Sequence, residues 1–433
     1  MTVESRPQHA DLSLASRDAA MPGLPYLLDN HRLSDLLGEH VHVTRVRYKP
    51  RTSLLVAFRR TRNGSFDYGW AMTRASAGKL LRREEAVRLR GGDARILRPD
   101  LDSEETLVAV GGVEDDWGLH ENLTWLREHG LARLGLHRPA GTSLLSGSTA
   151  VLRYKPGRCL VLLLQNGGAP LVVKTVAKPN HAGRREFHEL LQVNGVPVLP
   201  QLGDAEFARH GITASAAWGG GDLSGLEEAG GAQRAGQALA RVHGIPASSG
   251  SGTASSGSGA VGTPLFNPVD RLAKTRSMVS WLHPELEKTA RRLERALAGR
   301  LAERGSQEVL LHGNFSPEQV LVNASEVRIL DFDQIRSGDR EADLGSFAAA
   351  EEAGSRGPGA SGASGDGWAG GSVTASLAEG YASAGGRFTR AGVNVWAAVR
   401  LFTDCMEPFN GRSPDWAASM DWHLRRAGEL VGL

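Results

Sequence analysis

The stretch LLHGNFSPEQVLVNASEVRILDFDQIRSGDREADLGSF, residues 310–347, leaves this chain little freedom in what it can fold into. Val320, Leu321 and Val322, a turn at Asn323 and Ala324, then Val327, Ile329 and Leu330 read as two short β-branched strands joined by a tight connection. Such a hairpin aims Asp331, at the end of its second strand, toward the same cleft as Asn314 on the preceding loop. Asp343 directly precedes an apolar helical run and is placed to act as an N-cap.

A second constraint is an internal repeat. Arg47, Tyr48, Lys49, Pro50 recurs as Arg153, Tyr154, Lys155, Pro156, and each copy is followed by an apolar strand, LLVAF in the first and CLVLLL in the second. Both then carry Asn-Gly, at Asn63-Gly64 and Asn166-Gly167, a strong short hairpin signal. A third strand and a helix beginning near Gly78 or Gly183 complete each unit, so a strand-strand-strand-helix element is written twice in series. The copies differ on the third strand: LVVKTV carries Lys174 among apolar neighbours, whereas the first copy has Tyr68, Gly69, Trp70 and Ala71 there. The helix GRREFHELLQ offers Glu186 and Glu189 as partners for Lys174, with Phe187, Leu190 and Leu191 as its buried face.

Composition narrows the partners. With 50 Lys and Arg against 48 Asp and Glu over 433 residues, there is no electrostatic case for nucleic acid or a membrane surface. Two cysteines, Cys159 and Cys405, are too few and too distant for a zinc site or a disulfide framework, which predicts a reducing, cytoplasmic setting. Residues 1–20 show no secretory pattern, and no segment approaches the roughly 18 consecutive apolar residues of a membrane span. Ser/Gly/Ala tracts near 247–263 and 354–372 are predicted to be flexible insertions, and the segment 286–305 between them an amphipathic, solvent-facing helix.

The segment 310–347 resembles the catalytic region of the aminoglycoside phosphotransferase and choline kinase-like families, which write HGDxxxxN, an apolar strand, a DxD and then GDPxxDLA. Here Asn314 stands for the Asp and Gln319 for the Asn. The resemblance extends over about residues 147–433 through Lys174, Glu186, the GVPVLPQLG turn and an L-x-x-x-H-x-x-P pattern ending at His243 and Pro246. It implies an α+β, bilobal protein kinase-like fold with a β-rich N-lobe and a mainly helical C-lobe. An extra β-rich, N-lobe-like cap would precede them, giving boundaries at 1–140, 141–218 and 219–433.

By the same resemblance the cofactors are ATP and Mg2+. Asp331 is the magnesium Asp and Gln319 the second-metal residue, since magnesium takes hard oxygen ligands. Lys174 and Glu186 hold nucleotide phosphates, Ser148 and Thr149 cover them, and His312 braces the catalytic loop. Lys174, Glu186 and Asp331 would then converge around a metal-bound triphosphate. Asn314 has no basic site at neutral pH, which leaves Asp333 to take the substrate proton.

Three readings stay open. One is a kinase that moves the γ-phosphate to a hydroxyl of a small molecule or to a Ser or Thr of a biosynthetic peptide. Another is a catalytically impaired pseudokinase that binds nucleotide and serves a partner enzyme. The third is a peptide-binding module that uses the RYKP strands as a sheet edge. For the acceptor, Asp404 and Glu407 among Trp396, Phe402, Phe409, Trp416 and Trp422 would suit a cationic sugar or amine, while buried aromatics would simply form core.

Overall fold

The computed structural model describes residues 9–62, 64–99, 106–139, 141–147, 149–165, 168–178, 184–226, 228–249, 261–263, 267–305, 308–324, 326–355 and 368–433. The chain divides into two compact units. The first comprises Met1–His181, Gln201–Ala217 and Glu407–Ala417, and the second Ala182–Pro200, Trp218–Met406 and Ala418–Leu433.

In the first unit, helices α1 (His9–Arg17), α2 (Leu24–Leu28) and α3 (Asn30–Leu37) lead into β1 (Val41–Lys49), β2 (Ser53–Arg62) and β3 (Ser65–Arg74). Asp29 caps α3 by accepting the N–H of His31 at 2.8 Å, and Gly38 ends the helix at φ 68°. Helix α4 (Ala77–Leu89) and strands β4 (Arg95–Leu97) and β5 (Val108–Gly112) complete a sheet of order β1-β2-β3-β5-β4. Trp70, Met72, Leu80, Val87 and Ala109 fill the core under α4.

Helices α5 (His120–Trp125) and α6 (Leu131–Arg133) connect to the second sheet, of order β6 (Thr149–Lys155), β7 (Cys159–Leu164), β8 (Leu171–Val176), β9 (Ile212–Ala216). One apolar cluster joins Leu119, Leu123 and Leu126 to Leu160, Leu162 and Val173, so α5 covers this sheet. Strand β7 alternates half-buried and buried residues along CLVLLL, the period of two that a strand with one face on a core requires. β1 and β6 are edges of their sheets.

The two copies of the repeat share one register. Tyr48 pairs Leu54, which pairs Thr73; Tyr154 pairs Leu160, which pairs Thr175. On the next rung Arg47, Leu55 and Met72 match Arg153, Val161 and Lys174. The position equivalent to Lys174 is therefore the buried Met72, one residue past the 68–71 segment the sequence suggested.

The reason for the repeated motif lies in a buried carboxylate. Tyr48 Oη donates to Asp18 Oδ2 at 2.6 Å, and the Arg51 N–H donates to the same oxygen at 2.9 Å. In the second copy Tyr154 Oη donates to Asp116 Oδ2 at 2.9 Å, joined by the Gly157 N–H at 2.6 Å. The turn residue is left-handed in both, at φ 55° for Arg51 and 68° for Gly157. Of the two Asn-Gly turns, Gly64 is seen at φ 77°, while Asn63, Asn166 and Gly167 lie outside the described residues.

Helix α15 (Glu407–Asn410) and the residues after it also belong to this unit. Arg412 clasps the buried Asp11 with two nitrogens, at 3.0 and 2.7 Å, and the Trp416 indole N–H reaches Asp11 Oδ1 at 3.2 Å. Glu407 pairs with Arg45 at 2.8 Å. Helix α8 (Ala205–Arg209), capped by Asp204, precedes β9.

The second unit opens with α7 (Arg184–Val193), followed by β10 (Gly221–Asp222) and α9 (Ala229–His243), where Ala235, Ala238, Leu239 and Val242 are buried at the helical spacing. Short strands β11 (Ala247–Ser249) and β12 (Val261–Thr263) pair in parallel at the ends of the first Ser/Gly/Ala tract. The rest of that tract, and most of the one near 354–372, lies outside the described residues.

Helices α10 (Pro268–Leu282) and α11 (Glu287–Ala302) follow, and α11 buries Ala290, Leu293 and Leu297 while Glu294 pairs with Arg276 at 2.6 Å. Strands β13 (Glu308–Leu311), β14 (Val320–Asn323), β15 (Glu326–Ile329) and β16 (Arg336–Asp339) carry the catalytic-type motif. Helices α12 (Glu341–Gly354), α13 (Ser372–Ser383), α14 (Arg390–Asp404) and α16 (Trp416–Leu430) complete the unit, apart from the first two residues of α16. α9 and α13 approach closely because Gly236 and Gly380 face the backbone of Leu377 and Gln233, leaving no room for a side chain. Among the described residues no helix is long and apolar enough to cross a membrane, and the two cysteines form no disulfide.

Candidate active site

The predicted hairpin forms as β14 and β15, with Val320 opposite Ile329 and a turn through Ala324 at φ 48°. β13 and β16 form a second antiparallel pair, Leu311 opposite Arg336, and the loop 312–319 runs from one pair to the other. The Leu330 N–H donates to Gln319 O at 2.9 Å, which sets Gln319 beside Asp331. The Ile329 N–H donates to Pro197 O at 2.8 Å, tying the GVPVLP turn to the same strand.

The loop is held by one carboxylate. Asp343 Oδ2 accepts the N–H of His312 at 2.7 Å, and Oδ1 that of Gly313 at 2.9 Å. From α9, His243 Nε2 lies 3.1 Å from Oδ2, and its Nδ1 is 2.8 Å from Tyr381 Oη. Burial pushes the Asp343 carboxyl up. The hydrogen bond and charge of His243, then His312 and the Gly313 N–H, outweigh burial and hold it below the usual carboxylate range.

Asp343 is thus not the N-cap its position suggested. Asp339 Oδ1 accepts the Glu341 N–H at 3.0 Å at the start of α12, and Asp343 turns inward because two loop amides need an acceptor. Asp339 Oδ2 also receives Arg304 Nε at 2.7 Å and the Trp396 indole at 3.0 Å.

His312 is fully buried, and burial pushes its imidazole below the ordinary histidine range. Its Nε2 donates to Leu330 O at 2.8 Å, and the ring packs on Phe332 and Phe315 with centroids 4.6 and 5.4 Å away. Gly313 sits at φ 83°, and a Cβ there would overlap Gln334 O, so only glycine fits. Phe187 of α7 meets Phe332 at 6.0 Å, which anchors that helix to the segment after Asp331.

Asp331 takes a left-handed conformation, φ 64° and ψ 52°, unusual for a residue with a side chain and often found where function constrains a backbone. Gln319 is buried, and among the described residues its Oε1 has no hydrogen-bond partner. An orphaned buried oxygen asks for an explanation such as an ion, and amide and carboxylate oxygens are the hard donors magnesium accepts. The residues present therefore fit the metal the resemblance implies. Asp333 lies half-buried in the single 3-10 turn Phe332–Gln334.

Asn314 is half-buried, and its Oδ1 accepts a hydrogen bond from Arg400 Nη1 on α14 at 2.7 Å. Arg400 Nε in turn lies 2.5 Å from Asp404 Oδ2. Sequence reasoning missed Arg400, and nothing in the local pattern around it carries a signal. Lys174 lies on β8 in the first unit, where Thr149 also opens β6; Glu186 lies exposed on α7 in the second. Glu189 pairs with Arg185 at 3.3 Å. Ser148 lies outside the described residues. Of the candidate acceptor residues, Trp396, Phe402, Phe409 and Trp416 are buried core.

The model of the phosphotransferase enzyme family (APH) matches residues 160–400, more than half of the chain, and this protein belongs to that family. Its members are kinase-like phosphotransferases, and the mixed α+β architecture described above is theirs. Among solved structures, a choline/ethanolamine kinase family protein from Mesorhizobium loti is similar at 18% identity over 73% of this chain and 95% of its own, with a TM-score of 0.48. Choline kinase LicA from Streptococcus pneumoniae is similar at 13% identity over 66% of this chain and 93% of its own, TM-score 0.46. A spectinomycin phosphotransferase, solved with ADP and spectinomycin, shares 13% identity over 66% of this chain and 93% of its own, TM-score 0.45. A comparison with curated proteins finds no significant match.

Proposed function

We propose that this protein is an ATP- and magnesium-dependent phosphotransferase that moves the γ-phosphoryl group to a hydroxyl of a small molecule or of a Ser or Thr in a biosynthetic peptide. The observation that carries this reading is the buried Oε1 of Gln319, without a hydrogen-bond partner among the described residues, on a loop whose amides are clamped by Asp343 and whose Gln319 carbonyl accepts the Leu330 N–H just before the left-handed Asp331. A loop held by Asp343 through two amides, offering a hard oxygen acceptor, is what a metal-bound nucleotide needs.

Asp331 and Gln319 would hold Mg2+, which supplies neutralisation of phosphate charge when bound. Lys174 and Glu186 keep their assignment to the nucleotide, as do Ser148 and Thr149. The acceptor oxygen bonds phosphorus as the bridging oxygen of ADP departs, and Asp333 takes the hydroxyl proton. Asn314 positions and does not deprotonate. In a loose transition state, positioning and charge stabilisation supply most of the rate, so transfer persists without the family's Asp.

A second reading, a nucleotide-binding pseudokinase serving a partner enzyme, draws on the Arg400–Asn314 hydrogen bond, which ties up the amide oxygen. Thermal shift with ATP and Mg2+, followed by ATP consumption in the wild type, Asn314→Asp and Asp333→Asn, separates the two. Stabilisation with wild-type turnover that Asp333→Asn lowers supports the enzyme, with Asn314→Asp raising the rate on the order of 10²-fold or more. Stabilisation with turnover only in Asn314→Asp supports the pseudokinase. No stabilisation by MgATP overturns both.

A further inference from the structure

The side of the loop at position 314 is unusual in its polarity. A guanidinium donates hydrogen bonds and accepts none, so the 2.7 Å contact from Arg400 Nη1 fixes the Asn314 amide with its oxygen toward arginine and its NH2 turned the other way. Position 314 therefore presents donors. Asp404, the nearest carboxylate on α14, is shared between two cations: Arg400 Nε at 2.5 Å and Arg271 Nη2 of α10 at 3.5 Å. A third guanidinium, Arg336, comes within 3.4 Å of where a Cβ on Gly313 would lie. Burial first, then the charges of Arg271 and Arg400 against the opposing pull of Asp343, bring Arg336 down to about 10.

The charge balance follows from these contacts. The guanidiniums of Arg271, Arg336 and Arg400 gather with Asp404 and Asp343, and the second of these carboxylates is already committed to the amides of His312 and Gly313 and to His243. The group is open to solutes, with the Arg271 side chain 40% exposed and Arg400 20%. A cationic amine placed beside Arg271 and Arg400 would meet like charge, which discriminates against it. A carboxylate or phosphate would meet guanidinium forks and an amide donor, the pattern that recognises such groups.

We propose that the acceptor of this enzyme carries an anionic group, a carboxylate or a phosphate, held by Arg271 and Arg400 with the Asn314 amide as a further donor. This rests on the phosphotransferase reading and narrows its substrate class. The acids that suggested a cationic sugar or amine are spoken for: Asp404 by the two arginines and Glu407 by Arg45 in the first unit.

The test is calorimetric titration of the full-length protein with four small hydroxylated probes, glycerol 3-phosphate, glycerate, glycerol and choline, with and without saturating MgADP. Glycerol 3-phosphate or glycerate is expected to bind at least about tenfold more tightly than choline or glycerol, and Arg271→Ala to weaken that anion about tenfold with ADP affinity unchanged. Arg271→Lys, which keeps the charge, should restore part of the loss. Choline binding as tightly as the anion, no probe binding at all, or an Arg271→Ala affinity equal to wild type overturns the proposal. If MgADP itself fails to bind, the phosphotransferase reading falls, while the nucleotide-free titrations still decide between anion and cation. Should inorganic phosphate compete as well as glycerol 3-phosphate and glycerate does not, the anionic group is a phosphate; the reverse makes it a carboxylate.

Discussion

Arg400 decides which end of the Asn314 amide faces outward, and the buried Asp343, accepting the amides of His312 and Gly313, decides where the whole loop stands. Asp343 also carries a pH signature. Its folded pKa is depressed, so between the ordinary carboxylate value of about 3.9 and the folded value the unfolded chain binds a proton that the folded chain does not. Its contribution to stability is complete above about pH 5 and is lost as pH falls through the folded value. Asp343→Asn should therefore lower stability near neutrality by roughly 2–4 kcal/mol and flatten the acid limb. Urea denaturation of both proteins from pH 7 to 3 checks this, and parallel curves with equal slopes would refute it.

Among the elements, the duplicated strand pair shows what a short motif can encode. Tyr48 and Tyr154 each reach a buried carboxylate that also accepts the amide of a left-handed turn residue three positions on. The motif specifies a hairpin whose turn is pinned from beneath, and the pinning residues, Asp18 and Asp116, lie outside it. Replacing Tyr48 or Tyr154 with Phe keeps the ring in the core and removes one hydrogen bond to a charged group, a loss of about 1.5–3 kcal/mol each. Melting of each variant measures it; a shift in one copy only would mean that the two hairpins are not held alike. The tyrosines were visible in the sequence because RYKP repeats. Their aspartates were not, because an acceptor 38 residues upstream of Tyr154 leaves no periodic trace.

For the molecule as a whole, the division into two units does not follow the order of the chain. Residues Glu407–Ala417 belong with the first unit although the segments on either side of them in sequence belong to the second. Their anchor is the buried Asp11, whose carboxylate faces Arg412 and Trp416. Arg412→Ala leaves that carboxylate buried without its cation and should cost about 3–5 kcal/mol. Hydrogen exchange is expected to speed up in α1 and in 407–417; unchanged protection there would contradict the assignment. The sequence alone determined the strand hairpin at 320–329, the repeat and the family, since local periodicity and turn chemistry act over a few residues. Tertiary structure alone decided that Asp343 clamps the loop instead of capping a helix, that Met72 stands where Lys174 does, and that three arginines gather behind Asn314. Those outcomes depend on donors, acceptors and charges brought together from distant positions, and only the folded chain supplies their distances.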